Sequence, residues 1–432
     1  MSKSKTDELV FLPLGGSNEI GMNLNAYGFG PANDRKWILV DVGVTFGDHT
    51  TPGVDVIVPD PTFLEGENIL GIVLTHAHED HIGALGWLWP RLKAPLYATP
   101  FTAYLIREKL RDAGLGDRVK IHEVPLGGTI NLDPFHIEMV TITHSTAEPN
   151  GLAITTPLGL VLHTGDWKID PDPQIGSATD VKGLTALGDE GVLAMVCDST
   201  NVFEEGESGS EESVKQGLID LIAEQKQAVA VTTFASNVAR VKSIVEAAES
   251  AGRAVCLVGR SMHRITDAAK SVGILPPHME FIDESEASQI PAEHILYLCT
   301  GSQGEARAAL TRISRRDHRN VSLHEGDTVI FSSRQIPGNE KGIFALQNAL
   351  AEQGVRVITP RMVPYPIHVS GHPCRDELRR MYGWVRPQVS IPVHGERRHI
   401  MEHANFAKSL QVPHAVTPQN GSLIRIAPGK AQ

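Results

Sequence analysis

The chain has 432 residues, enough for roughly two or three domains and a large core. Apolar residues make up 41% and the formal charge is −12, which excludes a disordered chain and a uniformly basic nucleic-acid coat, though not a local basic groove. No apolar run reaches the roughly 18 residues of a membrane span, Met-Ser-Lys-Ser-Lys-Thr-Asp opens no secretory leader, and Cys197, Cys256, Cys299 and Cys374 form no C-x-x-C pair, so a cytoplasmic protein with reduced thiols and no membrane partner is expected.

Apolar strands that end in a polar, glycine-marked turn recur along the chain. W-I-L-V-D-V-G puts Asp41 at the first such end, where it either bonds turn amides or orients a metal ligand. Ile72–Ile82 reads I-V-L-T-H-A-H-E-D-H-I, a short buried strand ended by Thr75 and followed by His76, His78, Asp80 and His81. Neutral imidazole and ionised carboxylate are the donors that borderline divalent metals prefer. Residues two apart in extended chain face one way, so His76 and His78 share a direction, while Asp80 and His81 open the next turn toward a second ion. I-E-M-V-T-I-T-H-S, G-L-V-L-H-T-G-D and V-L-A-M-V-C-D-S-T-N then deliver His144, Asp166 and Asp198 at strand ends. In layered α/β proteins ligands gather at such carboxyl ends.

After Phe203 the texture changes. E-E-G-E-S-G-S-E-E is a short acidic loop that reads as a boundary. Strands V-A-V-T-T-F, A-V-C-L-V-G-R and I-L-Y-L-C-T-G then alternate with helical runs, over Val238–Ala251, after Arg260, and over Glu305–Ser314; T-V-I-F-S-S and V-R-V-I-T-P are two more strands. That rhythm predicts a parallel sheet flanked by helices. After Pro366 the histidine-bearing turns resume with H-V-S-G-H and V-S-I-P-V-H-G-E, which delivers His394. The expected organisation is a core over 1–204, an inserted α/β unit over 205–365, and a completing part of the core over 366–432.

The expected metal set is His76, His78 and His144 for one ion and Asp80, His81 and His394 for the other, with Asp166 bridging. Two ions about 3.5–4 Å apart would share an acidified water and clamp a phosphoryl centre. A histidine like His394 is most often a satisfied core residue; its place at a strand end in H-G-E favours a ligand.

T-H-A-H-E-D-H-I-G-A, with His144, Asp166 and His394, resembles the metallo-β-lactamase superfamily. Asp198 and H-V-S-G-H resemble its β-CASP branch, which acts on nucleic acids. Finer matches resemble ribonuclease J: L-G-G-S-N-E-I-G-M-N, D-S-T-N, T-F-A-S-N, G-R-S-M, T-G-S-Q-G-E, F-S-S-R-Q-I-P-G-N-E and I-P-V-H-G-E, in order from about Leu12 onward. The resemblance implies an αββα metallo-β-lactamase sandwich with an inserted β-CASP domain. It implies a two-metal ribonuclease, a 5′→3′ exonuclease on 5′-monophosphorylated single-stranded RNA with endonuclease ability, working in RNA processing and decay. Two Zn2+ per chain fit the donors, and Mn2+ is compatible with them. A homodimer or other RNA-decay proteins are the partners it suggests.

By the same resemblance His372 is the general acid, oriented by Asp198, and Asp80 belongs to the catalytic metal set. The alternative for His372 and Asp198 is a structural pair. His368, Val369, Ser370, Gly371 and His372 would hold the scissile or neighbouring phosphate through close amides and side-chain donors. Ser236, Asn237, Arg260 and Ser261, at strand-to-helix turns, are candidates for the 5′-phosphate, and each is equally a helix cap. Two departures stand out. Family members usually continue into a further C-terminal domain that helps dimer and tetramer assembly, whereas this sequence stops at Gln432; and S-T-A-E-P-N follows the stem of His144 where the family often has an apolar residue and a proline.

The most basic run, Thr311–Asn320, is either a solvated helix end or an RNA-backbone contact. Aromatics are 5% of the chain, so recognition through phosphate and sugar is expected rather than base stacking. Two competing readings keep the fold: a DNA-directed nuclease, whose branch generally lacks a histidine at the position of His394, and a non-catalytic RNA-binding subunit, whose kind typically loses metal ligands.

Overall fold

The structure, a computed structural model, describes residues 6–48, 50–336 and 338–432. The expectation about a leader in residues 1–5, and Pro337 of F-S-S-R-Q-I-P-G-N-E, lie outside these.

One seven-stranded sheet has the order Ile424–Ala427, Glu8–Gly15, Leu24–Gly30, Lys36–Val40, Asn68–Val73, Leu96–Ala98, Ile121–Glu123. A second runs Thr129–Leu132, Phe135–Thr141, Asn150–Thr156, Gly159–His163, Val192–Asp198, Val389–Val393, His414–Ala415. Period-two alternation splits each strand between two cores. Leu9 and Phe11 enter a layer between the sheets, together with Ile137 and Val196, while Val10 and Leu12 pack outward with helix residues Leu88 and Phe101. On the far side, Met195 and Cys197 pack with Leu378, Met381 and Phe406 of helices Arg375–Val385 and Arg397–Ser409. These strands are buried on both faces, which is why they read as nearly continuous apolar runs. The result is the expected helix–sheet–sheet–helix sandwich.

The chain leaves the second sheet at Asp198 and re-enters it at Val389, in the parallel neighbour of the strand it left. Between lies a five-stranded, all-parallel sheet in the order Ala254–Val258, Ile295–Cys299, Val229–Thr232, Thr328–Phe331, Arg356–Ile358. Its strands are the five read from the sequence. Helices Glu211–Ala223 and Val238–Ser250 cover one face and Glu340–Ala351 the other. One expectation needs correction: the helix over Glu305–Ser314 begins only at Ala309. Gly304 turns with φ +74° against Gly342, and the Glu305 carboxylate accepts the Gln303 N–H at 3.0 Å, so the first residues form a loop.

The acidic loop after Phe203 is less solvated than its composition suggests. Ser210 caps the helix that follows, and Glu211 is buried. Its carboxylate accepts from Arg240 Nε at 2.9 Å and Nη2 at 2.7 Å, and Arg240 Nη1 donates to the Ser332 hydroxyl at 2.8 Å. The Asp170 carboxylate accepts the Glu211 N–H at 2.9 Å, tying this pair to the sandwich.

Arg240→Met would leave Glu211 buried without its cation. The expected cost is about 3–5 kcal/mol, read as a lower urea midpoint. Burial alone would raise the Glu211 carboxyl, but the Arg240 charge and hydrogen bonds outweigh it and hold it below the usual value. The pair's contribution is therefore full above the unfolded carboxyl's pKa of about 4.3 and is lost as pH falls through the lower folded value. The wild-type midpoint should drop across that acid window, and the variant's should drop less.

Candidate metal centre

Every candidate ligand sits just past the carboxyl end of a strand. His76 and His78 follow Asn68–Val73, with Asp80 and His81 on the short helix Glu79–Ile82. His144 follows Phe135–Thr141, Asp166 follows Gly159–His163, and His394 follows Val389–Val393. Both sheets aim these ends at one point. Single donor atoms of His76, His78, His144 and Asp166 lie within 4.8 Å of one another, and so do those of Asp80, His81, Asp166 and His394. Asp166 belongs to both sets. Of these, His78 and Asp80 are partly open to solvent, as is His372 beside them, so a substrate would approach past these three.

The rings are held from behind. His81 Nδ1 donates to Asp41 Oδ2 at 2.7 Å, and His144 Nδ1 donates to the Gly371 carbonyl at 2.6 Å. His394 Nδ1 lies 2.9 Å from the Thr200 hydroxyl and His76 Nδ1 3.0 Å from that of Thr75. Asp41 thus does both things weighed for it, since its Oδ1 also accepts the Thr75 N–H at 2.8 Å. Asp41 and His394 are non-glycine residues at φ 65° and 54°, a strained conformation that these bonds maintain at the site. L-G-G-S-N-E-I-G-M-N has its explanation here. Asn23 Nδ2 donates to the Asp80 carbonyl at 3.1 Å and lies 3.2 Å from His81 Nε2, while the Gly16 carbonyl accepts the His394 N–H at 2.6 Å.

The donor set fits divalent cations. His81 gives Nδ1 to Asp41 and lies 3.1 Å from Asp166 Oδ2 through Nε2; burial lowers this ring, but the Asp166, Asp80 and Asp41 carboxylates outweigh it and hold it well above the usual imidazole value. Three carboxylates around one ring ask for positive charge there, which a divalent cation would supply in place of a proton. Burial drives His76 and His144 far below the ordinary imidazole value and His78 to about 4, so these rings are neutral and able to ligate. Burial also lowers His394, but Asp166 and the bond to Asp80 outweigh it and raise it to about 9. That side of the cluster is short of cationic charge.

His372 Nδ1 donates to Asp198 Oδ2 at 2.7 Å, and its ring centroid is 5.1 Å from that of His144. Asn201 holds the same turn, its Nδ2 donating to Ser370 Oγ at 2.8 Å and to the His372 carbonyl at 3.0 Å. His368 Nδ1 accepts from Arg240 Nη1 at 3.2 Å. Val369 packs into the inserted unit's core and offers only its main chain. The other candidates stand apart from these contacts. Asn237 is buried and caps its own helix, Oδ1 accepting the Arg240 N–H at 3.0 Å; Ser236 is half-buried beside it; Arg260 and Ser261 are exposed at the start of helix Arg260–Ser271. In the basic run, Arg312 pairs with Asp317 and Arg316 with Gln353, as a solvated helix end would. Thr200, Asn201 and Arg240 were missed in the sequence. D-S-T-N contained the first two, but only the returning strand gives them partners.

Gly371 has no room for a side chain. A Cβ there would sit 2.5 Å from Ser145 Oγ and 2.9 Å from His144 Cε1. Gly371→Ala should displace the His144 ring and lower bound metal by elemental analysis, while the urea midpoint shifts little. Unchanged metal content would show that the turn can yield without moving His144.

Comparison with known proteins agrees with this geometry. Residues 36–186 match the β-lactamase superfamily domain, 226–350 the ribonuclease J β-CASP domain, and 361–416 the Zn-dependent metallo-hydrolase RNA specificity domain. A crystal structure of a protein of unknown function from Enterococcus faecalis V583 has the same fold, with TM-score 0.68 at 17% identity over 97% of this chain and 100% of that one. Ribonuclease J of Corynebacterium glutamicum is 40% identical over 100% of this chain, which spans 60% of that protein. Ribonuclease J 1 of Streptococcus pyogenes serotype M3 is 35% identical over 99% of this chain and 76% of its own length. Ribonuclease J of Sinorhizobium meliloti is 48% identical over 99% of this chain and 76% of its own length, and on that likeness, with the β-CASP unit set into a metallo-β-lactamase sandwich, the chain belongs to the ribonuclease J family.

Proposed function

We propose that this chain is a metal-dependent ribonuclease that removes nucleotides 5′→3′ from 5′-monophosphorylated RNA and also cuts internally. The observation that carries the reading is the seven-residue donor cluster sharing Asp166, with the His372–Asp198 pair at its solvent edge. Zinc suits these donors, with manganese as the alternative, and two such ions would supply Lewis acidity to a phosphodiester and acidify a water between them. His76, His78 and His144 would hold one, Asp80, His81 and His394 the other, with Asp166 shared. Four buried free cysteines are consistent with a reducing cytoplasm, and no described helix is long and apolar enough to cross a membrane.

The chain's own groups account for the rest. With Nδ1 donating to Asp198, His372 carries its transferable proton on Nε2, aimed to leave with the 3′-oxygen. Asp198 fixes the ring and its charge favours the imidazolium. Arg240 Nη1, 3.2 Å from His368 Nδ1, holds that ring at the start of the turn, where it would lie beside a bound phosphate. Ser370 Oγ and the Gly371 main chain complete that grip. Ser236, on the turn that Asn237 caps, and Arg260 and Ser261, at the start of helix Arg260–Ser271, are the groups proposed for the 5′-phosphate.

The test is one RNA, labelled at its 3′ end and bearing a 5′-monophosphate or a 5′-triphosphate, with a matched DNA strand alongside. Chelator-sensitive shortening of the monophosphate RNA with release of mononucleotides is expected. Internal cuts on both RNAs alone would reduce the reading to an endonuclease, and preference for DNA would replace its substrate. Asp80→Ala with His81→Ala should abolish cleavage; wild-type rates in that protein would end the reading. His372→Ala should lower kcat by about 10²–10⁴-fold while bound metal is retained.

A further inference from the structure

T-G-S-Q-G-E and F-S-S-R-Q-I-P-G-N-E contribute nothing to the metal cluster, yet they end beside the S-G-H turn. Buried Gln303 joins them. Its Nε2 donates to the Arg334 carbonyl at 2.9 Å, and its Oε1 accepts the Ile336 N–H at 2.9 Å and Asn339 Nδ2 at 3.3 Å. The main chain around Arg334 is therefore anchored, while its side chain is half-exposed. The guanidinium reaches the D-S-T-N turn, where Nη1 donates to Asn201 Oδ1 at 3.3 Å and Nη2 to Glu204 Oε1 at 2.7 Å. Asn201 in turn donates to Ser370 Oγ and the His372 carbonyl. One carboxamide separates the Arg334 charge from the turn that would hold the substrate phosphate. The same charge reaches His368, where it adds to burial and Arg240 in opposing protonation.

Glu204 is also half-exposed, and an ion pair in that setting is held only weakly. A phosphate offers the guanidinium fork two oxygens and more charge. We propose that Arg334 is a phosphate-binding residue that exchanges Glu204 for an RNA backbone phosphate beside the S-G-H turn, while Asn201 keeps the other arm of the guanidinium in place. This rests on the RNA-cleaving reading above.

The test is a double-variant cycle on the metal-loaded full chain, with KM and kcat measured on one RNA at several salt concentrations. Arg334→Gln should raise KM about tenfold, change kcat less, and reduce the salt slope by about one. Glu204→Gln should lower KM about threefold by releasing Arg334, and that gain should vanish when Arg334→Gln is also present. Arg334→Lys should recover part of the loss, because it restores charge without the fork. An equal Glu204→Gln gain in both backgrounds would mean that Glu204 merely repels RNA, and would overturn the proposal. So would a raised KM with a lowered Tm in both single variants, the signature of a structural pair. Wild-type cleavage with all variants alike would overturn it and leave the nuclease reading standing; no cleavage by the metal-loaded wild type would overturn both.

Discussion

One carboxylate oxygen, Asp166 Oδ2, has five imidazole nitrogens within 3.9 Å: those of His76, His81, His144, His372 and His394. The residue is buried. A charge taken this far from water is sustainable only with opposite charge and hydrogen bonds around it. Two of the rings, His76 and His144, are driven neutral by burial, so they do not themselves supply that charge. The site is thus built as a demand for cations, and the sandwich around it exists to keep the demand in one place. Its two sheets converge at their carboxyl ends, and the outer helices keep both sheets dry enough to be rigid there.

The insertion is part of that arrangement. The chain departs from the second sheet at Asp198 and returns through His372, and the 2.7 Å bond between them closes an excursion of 174 positions. The strand that departs and the strand that arrives are parallel neighbours, with Asp198 opposite Val393. The last residue before the excursion therefore lies next to His394, the last candidate ligand after it. Closing so long a loop is costly in entropy only logarithmically. A large unit can accordingly be inserted without disturbing the cluster, provided both of its ends are pinned. Glu211–Arg240 pins one end. At the other, the buried Glu377 carboxylate accepts the N–H groups of Ile169, Ser208 and Cys374.

Legibility followed the range of the interaction. The convergence of the candidate ligands could be read because each strand end announces itself locally, by an apolar run, a turn and a donor. The five strands of the inserted sheet could be read for the same reason. Residues that act through distant partners left no local trace. Thr200 is a ring support for His394 across 194 positions, and Asn201 a clamp on Ser370 across 169. Arg240 reads as an ordinary helix cation, yet it is fully buried. The helical run was expected to begin at Glu305; its carboxylate instead folds back on Gln303. Asn237 was balanced between cap and ligand, and the geometry uses its side chain as a cap.

The bond from His144 Nδ1 to the Gly371 carbonyl carries the remaining consequence. It joins a ring of the donor cluster directly to the turn proposed to grip phosphate. Neither can move alone: a tilt of His144 would break the bond, and a shift of Gly371 would meet the ring, since not even a methyl group fits between them. Asn201 and Arg240 hold the same turn from the sandwich side and the inserted side respectively. The position of the proposed phosphate grip is therefore set by the cluster, by the core and by the insertion at once. That triple constraint explains why a short glycine turn, which on its own would be among the most mobile parts of a chain, can serve as a fixed reference for chemistry at its edge.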